Sequence, residues 1–120
     1  MFTRIDTMTL KPNASGEFTK LLEQKIVPLF RDEAGFQDLM VFVVPGGPDL
    51  VVVSIWDSKE DEESYETSAY PDLLRTLEPL LEKKPEAASY QIAYSTLHET
   101  GLSEFPKQSP NVTPVPGVGG

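Results

Sequence analysis

The chain contains no cysteine, which excludes a disulfide framework, zinc–thiolate or iron–sulfur ligation and a thiol nucleophile. Basic residues are scarce. Ten Lys+Arg against 19 Asp+Glu leave a formal charge of −9 over 120 residues. Affinity for phosphates rests on neutralising them with Lys and Arg, so no nucleic acid and no anionic membrane surface is expected as a partner. No window has the apolar length needed to cross a bilayer. The start, Met1-Phe2-Thr3-Arg4-Ile5-Asp6, lacks the basic and apolar regions of a secretory signal, so a cytoplasmic location is the expectation. The single histidine, His98, has no Ser-His-Asp, HExxH or Walker pattern around it and reads as a surface residue.

What remains is the composition of a folded body. With 39% hydrophobic and 24% charged residues, the chain is apolar enough to bury a core of single-domain size. That body spans residues 1–100. Residues 101–120 form a Pro/Gly-rich tail: from Ser103 onward, Pro106, Pro110, Pro114, Pro116 and Gly117 surround Phe105, its one large apolar residue. Such a segment buries too little to offset its ordering entropy.

Within the body the hydrophobic period changes several times. Phe2 to Leu10 alternates as a strand, with Ile5, Thr7 and Thr9 set against Phe2, Met8 and Leu10. From Ser15, the positions Phe18, Leu21, Leu22, Ile26, Leu29 and Phe30 recur at helical spacing until Gly35. Pro28 lies inside that pattern, where it removes a donor and should kink the helix or reshape its last turns. Two β-branched runs, Phe36 to Val44 and Leu50 to Trp56, flank Pro45-Gly46-Gly47-Pro48-Asp49 and read as a hairpin. The glycines there suit backbone angles that a side chain forbids, and no helix follows to make them a phosphate cradle.

Asp57 or Ser58 caps a second helix whose first turns are acidic. Tyr70-Pro71 bends or restarts it. Leu73, Leu74, Leu77, Leu80 and Leu81 then form a stripe that Lys83-Lys84-Pro85 ends. Ala87 to Ser95 alternates as a last strand, with Tyr90, Ile92 and Tyr94 on one face. The order β-α-β-β-α-β is an α+β, ferredoxin-like split βαβ arrangement: an antiparallel four-stranded sheet with both helices on one face. Yet Leu39 to Val44 and Leu50 to Val53 are apolar at successive positions, so both sheet faces need cover. A second copy of the sheet supplies it most simply, which predicts a homodimer.

The run from Phe36 to Val44, the hairpin, and Ser54-Ile55-Trp56-Asp57-Ser58-Lys59-Glu60 with Tyr65 nine residues after the Trp resemble the antibiotic biosynthesis monooxygenase-like proteins of the dimeric α+β barrel superfamily. The resemblance covers about Phe2 to Ser95. It implies a dimeric α+β barrel made of two sheets, with a small pocket between helices and sheet in each subunit. Some such proteins oxidise quinol-like or polyketide substrates with molecular oxygen and no metal or flavin, whereas others degrade haem. The haem-degrading pattern places a Trp on the second helix, an Asn on the first strand and an iron-ligating His. Here those places hold Tyr65, approximately Asp6, and Arg75, and an Arg does not ligate haem iron.

The expectation is therefore a cofactor-independent monooxygenase acting on a neutral aromatic or polyketide-like molecule. The alternative is a non-catalytic dimeric barrel that binds a small hydrophobic ligand or serves as an assembly module. Asp6, Tyr65 and Arg75 are the catalytic candidates: a base on a central strand, a phenol, and a cation for an anionic or enolate oxygen. Trp56, Tyr70 and Tyr94 are substrate-binding candidates, although a Trp that ends a core strand also serves as a packing anchor. No metal site is expected. From Asp57 to Glu66 there are six acids and one Lys, a local net of −5, but successive helical residues point around the axis and do not converge. These acids read as solvated, at the rim of the pocket, where they would disfavour anionic substrates. The two functional readings separate on whether Asp6, Tyr65 and Arg75 converge on one cavity or leucines of the Leu73 to Leu81 stripe fill it.

Overall fold

A computed structural model describes residues 1–97. His98 and the tail assigned to residues 101–120 lie outside the described residues. The elements are β1 (Phe2–Thr9), α1 (Ser15–Leu21), a π-turn (Leu22–Ile26), α2 (Val27–Arg31), β2 (Phe36–Val43), β3 (Asp49–Trp56), α3 (Lys59–Ser68), α4 (Tyr70–Leu77), a 3-10 turn (Glu78–Leu80) and β4 (Glu86–Gln91). The sheet is antiparallel throughout, in the order β2-β3-β1-β4. This is the ferredoxin-like α+β fold anticipated from the hydrophobic periods.

Register decides which side chains meet the helices. Asp6 lies opposite Val52 on β3 and Ala87 on β4, and Arg4 opposite Ser54 and Ser89. Because strand side chains alternate, Arg4, Asp6 and Met8 share the helix-facing side with Leu50, Val52, Ser54 and Trp56. All seven are buried. The opposite face carries Met40, Phe42, Val51 and Val53, and Phe42 is 54% exposed.

Phe30, on α2, joins α3 and the sheet. Its ring lies 4.8 Å from Tyr65, 5.5 Å from Phe36 and 5.9 Å from Trp56, and Trp56 lies 5.1 Å from Tyr65. Each such aromatic pair adds roughly 0.5–1.5 kcal/mol beyond the area it buries. α4 docks by apolar burial of Leu73 and Leu77, whereas polar α3 buries only Glu62 and Tyr65. The attachment of α3 therefore depends on one ring and one carboxylate.

Four boundaries differ in detail from the sequence reading. The first helix is interrupted: ahead of Pro28 it opens into a π-turn in which Val27 N–H bonds Leu22 O, so Pro28 falls in the first turn of α2, where its missing donor costs little. The second helix breaks at Ala69 and Tyr70, as Pro71 suggested, but α4 stops at Leu77, ahead of Pro79. Lys83 and Lys84 consequently do not terminate it. β4 ends at Gln91, opposite Phe2, with Ile92 N–H bonded to Met1 O, because the pairing with β1 stops there. Of the hairpin glycines, Gly46 alone has a positive φ, +74°.

Candidate active site

A cavity lies between the sheet and the helices. Asp6, Met8 and Val52 form its floor. Phe18, Leu22, Ile26 and Phe30 line one wall, and Tyr65, Tyr70, Leu73 and Leu77 the other. Its volume is about 10 Å³, room for roughly one water molecule. Leu22 and Ile26 bound the π-turn, so the irregular segment of the first helix forms part of the wall. Apart from Asp6 and the two phenols, the lining is apolar.

Asp6 is 3% exposed and is held by the equally buried Arg4, two residues earlier on the same strand face. Arg4 Nε donates to Oδ1 at 3.2 Å and to Oδ2 at 3.1 Å of Asp6. Its Nη1 turns the other way, to Glu62 Oε1 at 3.2 Å and Glu66 Oε2 at 3.4 Å. Ser89 Oγ on β4 donates to Glu62 Oε1 at 3.1 Å. The Tyr70 ring stacks on the guanidinium, 4.3 Å from Cζ to the centroid, an added cation–π contact. One guanidinium thus faces three carboxylates, two of them buried.

Burial pushes the Asp6 carboxyl above its usual pKa of 3.8; Arg4 opposes the rise, while Glu62 and Glu66 add to it. Burial works against the charge on Arg4, but Asp6 and Glu62 outweigh it, and its pKa lies above the ordinary arginine value. Burial, then the charge of Asp6, raises both Tyr65 and Tyr70, so the two phenols keep their protons. The site offers a carboxylate with increased proton affinity in a lining that it shares with two protonated phenols and otherwise apolar side chains.

Asp6, Tyr65 and Tyr70 converge on this cavity. Arg75 does not: it is exposed on α4 and pairs with Asp72 one turn earlier. Leu73 and Leu77 carry the apolar face of that helix, which leaves Arg75 to solvent. Trp56 is fully buried in the aromatic core behind the residues that line the cavity, its Nε1 donating to Ser54 Oγ at 3.0 Å. Tyr94 is 62% exposed beyond the end of β4. The inward cation is Arg4, which the sequence reading passed over. Its signal was strand parity, since an inward Asp6 requires an inward Arg4. Glu62 and Glu66, read as solvated acids, also belong to the site. No periodicity reveals that they meet a strand residue some sixty positions away.

Comparison with known proteins matches residues 1–76 to the family model described as antibiotic biosynthesis monooxygenase. The chain belongs to that family. The sequence comparison with curated proteins gives no match. Among solved structures, Rv0793 from Mycobacterium tuberculosis superposes with a TM-score of 0.65 at 18% identity, covering 79% of this chain and 97% of that one. The monooxygenase ActVA-Orf6 of Streptomyces coelicolor, solved with nanaomycin D, gives a TM-score of 0.63 at 18% identity over 74% of this chain and 84% of that one. SnoaB, a cofactor-independent oxygenase from Streptomyces nogalater, gives 0.65 at 12% identity over 79% and 95%. At such identities the likeness establishes a shared fold. The matched residues of this antibiotic biosynthesis monooxygenase family member include Asp6, Arg4, Glu62, Tyr65 and Tyr70. Among the described residues, no helix is long and apolar enough to cross a membrane.

Proposed function

We propose that the protein is a monooxygenase needing no metal or flavin, which acts on a neutral hydroxyaromatic or polyketide-like molecule in the helix–sheet cavity of a homodimer. Family membership supports the reaction class, and the ActVA-Orf6 and SnoaB structures, described as a monooxygenase and a cofactor-independent oxygenase, are its folded counterparts. The observation that carries the reading is Asp6: a buried carboxylate with raised proton affinity that faces an otherwise apolar pocket. A base is most effective when its pKa approaches the working pH, and burial moves Asp6 in that direction.

The chemistry balances without a cofactor. Asp6 takes a proton from an activated CH₂ group of the substrate, and the resulting carbanion passes an electron pair to O₂ as the C–O bond forms. Asp6 returns the proton to the peroxide. Loss of water then leaves a carbonyl, with one oxygen atom in the product and the other in the water. Net charge in the pocket is constant through the first step, because the substrate anion replaces the Asp6 carboxylate beside Arg4. With three carboxylates already around that guanidinium, an anionic substrate is disfavoured. Arg4 takes the part expected of Arg75, and the Tyr65 and Tyr70 hydroxyls are donors for a substrate oxygen.

The small cavity favours a second reading. At about 10 Å³ it must open before an aromatic ring enters, and leucines from α4 help to close it. A non-catalytic barrel that binds a small hydrophobic ligand or serves in assembly needs no such opening. Oxygen consumption by the full chain across quinols, dihydroxyaromatics and anthrone-like aromatic ketones that carry an activated CH₂ group separates the two. Uptake that Asp6→Asn abolishes supports the oxygenase. Absence of uptake with every compound overturns it in favour of the binding module.

A further inference from the structure

At about 10 Å³ the cavity is closed to any aromatic ring, so a ligand enters only where the wall can yield. Of the side chains that line it, all are buried except Leu22 and Tyr70, which mark the two places where it comes nearest to solvent. They differ in how they are held. The Tyr70 ring lies on the Arg4 guanidinium and 5.9 Å from the Tyr65 ring, and Arg4 is itself fixed by Asp6 and Glu62. Behind Leu73 and Leu77, α4 runs into a turn tied to the end of β1 by Lys11 N–H to Leu80 O at 2.8 Å and Glu82 N–H to Thr9 O at 2.9 Å. Asp6, on the floor, stands on a strand paired on both sides.

Leu22 has none of these restraints. It opens the π-turn, whose next residues Glu23, Gln24 and Lys25 are exposed, so among the described residues no element backs the segment from outside. Its bonding is the wide π pattern, Val27 N–H to Leu22 O, and Pro28 directly behind supplies no N–H to the carbonyls one turn back. Phe18 and Phe30, both buried, anchor the helix on either side, so the turn is a short span between two fixed points. A surface groove lined by Lys20, Leu21, Gln24 and Thr76 lies between its outer side and α4. We propose that the π-turn is the entrance to the cavity: a ligand is admitted as Leu22–Ile26 swings outward between Phe18 and Phe30, and Leu22, the side chain it pushes aside, limits the size of ligand that passes. The proposal rests on the reading of the helix–sheet cavity as the ligand site, and it serves the oxygenase and the binding module alike.

The test follows anthrone, a neutral aromatic ketone with an activated CH₂ group, into the full chain in the absence of oxygen, read by quenching of Trp56, the one tryptophan of the sequence. Leu22→Ala should speed association about tenfold and Leu22→Phe should slow it; equal rates in the three proteins overturn the proposal. Because the chain has no cysteine, Gln24→Cys with Thr76→Cys places two unique thiols on the groove, and a short bis-maleimide then clamps the turn to α4. Clamping should slow association about tenfold relative to the same variant capped with N-ethylmaleimide, and equal rates overturn the entrance. Faster association in Tyr70→Ala than in Leu22→Ala also overturns it, and moves the passage to the break between α3 and α4. Should the double variant not fold, amide hydrogen exchange of the wild type decides: Val27 N–H should exchange about tenfold faster than Leu77 N–H, and equal protection overturns the proposal. Rapid Val27 exchange without quenching by anthrone sinks the cavity as ligand site, whereas quenching that clamping leaves unchanged sinks the entrance alone.

Discussion

Arg4 is the counter-ion for Asp6, Glu62 and Glu66 at once, so the members of this cluster are unequal. Arg4→Met strands two buried carboxylates and should cost about 3–5 kcal/mol in urea unfolding near neutral pH. Asp6→Asn leaves Arg4 with two partners and should cost less than about 1.5 kcal/mol. The same pair of proteins fixes the sign of the pH dependence. Because the folded pKa of Asp6 lies above its usual 3.8, the native chain holds a proton that the unfolded chain has released. Stability contributed by this group therefore falls as pH rises from 3.8 through the raised value. The penalty of Asp6→Asn relative to wild type should grow on acidification across that window; a penalty that shrinks would mean that Asp6 is depressed. Asp6 was legible in the sequence because a lone acid on a central strand is conspicuous. Arg4 has the same parity, but its partners Glu62 and Glu66 become visible only when tertiary packing brings α3 over β1. Arg75, one residue after Leu74, lies on the helix flank where solvation costs nothing, and so stands away from the cavity.

The elements are joined at points where the backbone, not the side-chain pattern, is decisive. Gly35 has φ +78°, and a Cβ there would collide with the Asp61 carboxylate. Asp61 is itself tied to the cap of α3: Ser58 Oγ accepts from Asp61 N at 3.2 Å and donates to Asp61 Oδ2 at 2.9 Å. Gly35 O also accepts from Asp57 N at 2.8 Å. Gly35→Ala should thus lose both backbone comfort and the cap, about 2–3 kcal/mol, whereas Ser58→Ala should lose the cap alone, about 1 kcal/mol. Chemical denaturation checks the order, and equal costs would show that Gly35 and the cap are uncoupled. The order of elements was readable because strand and helix periods alternate cleanly from Phe2 to Tyr90. The interruptions were less so. Pro28 announced a disturbance but not a π-turn, and the leucine stripe continued through Leu80 and Leu81 although Pro79 had already ended the helix. Hydrophobic spacing records which face is buried, and a 3-10 turn followed by an extended residue keeps that face nearly as well as a helix does.

For the whole molecule, the unresolved demand is the outer face of the sheet. Met40, Phe42, Val51 and Val53 lie together on β2 and β3, facing away from the helices, and Tyr90 on β4 is 56% exposed. An apolar surface of this kind on a 13.3 kDa chain is the ground for the proposed homodimer, in which a second copy of the same face would cover it about a two-fold axis. The acidic charge does not oppose such pairing. More than half of the net −9 lies between Asp57 and Glu66, and α3, which carries most of it, packs on the opposite side of the sheet. Light scattering on a sizing column should therefore return about twice the chain mass, with little change between low and high salt, since few of the charges lie at the pairing face. Val53→Lys places a charge at the centre of that face without touching the helix-side core, so it should yield a folded monomer with unchanged near-ultraviolet circular dichroism from Trp56. A wild-type monomer at micromolar concentration would refute the dimer. A Val53→Lys dimer would move the interface elsewhere, away from the apolar face of β2 and β3 on which the dimer is proposed.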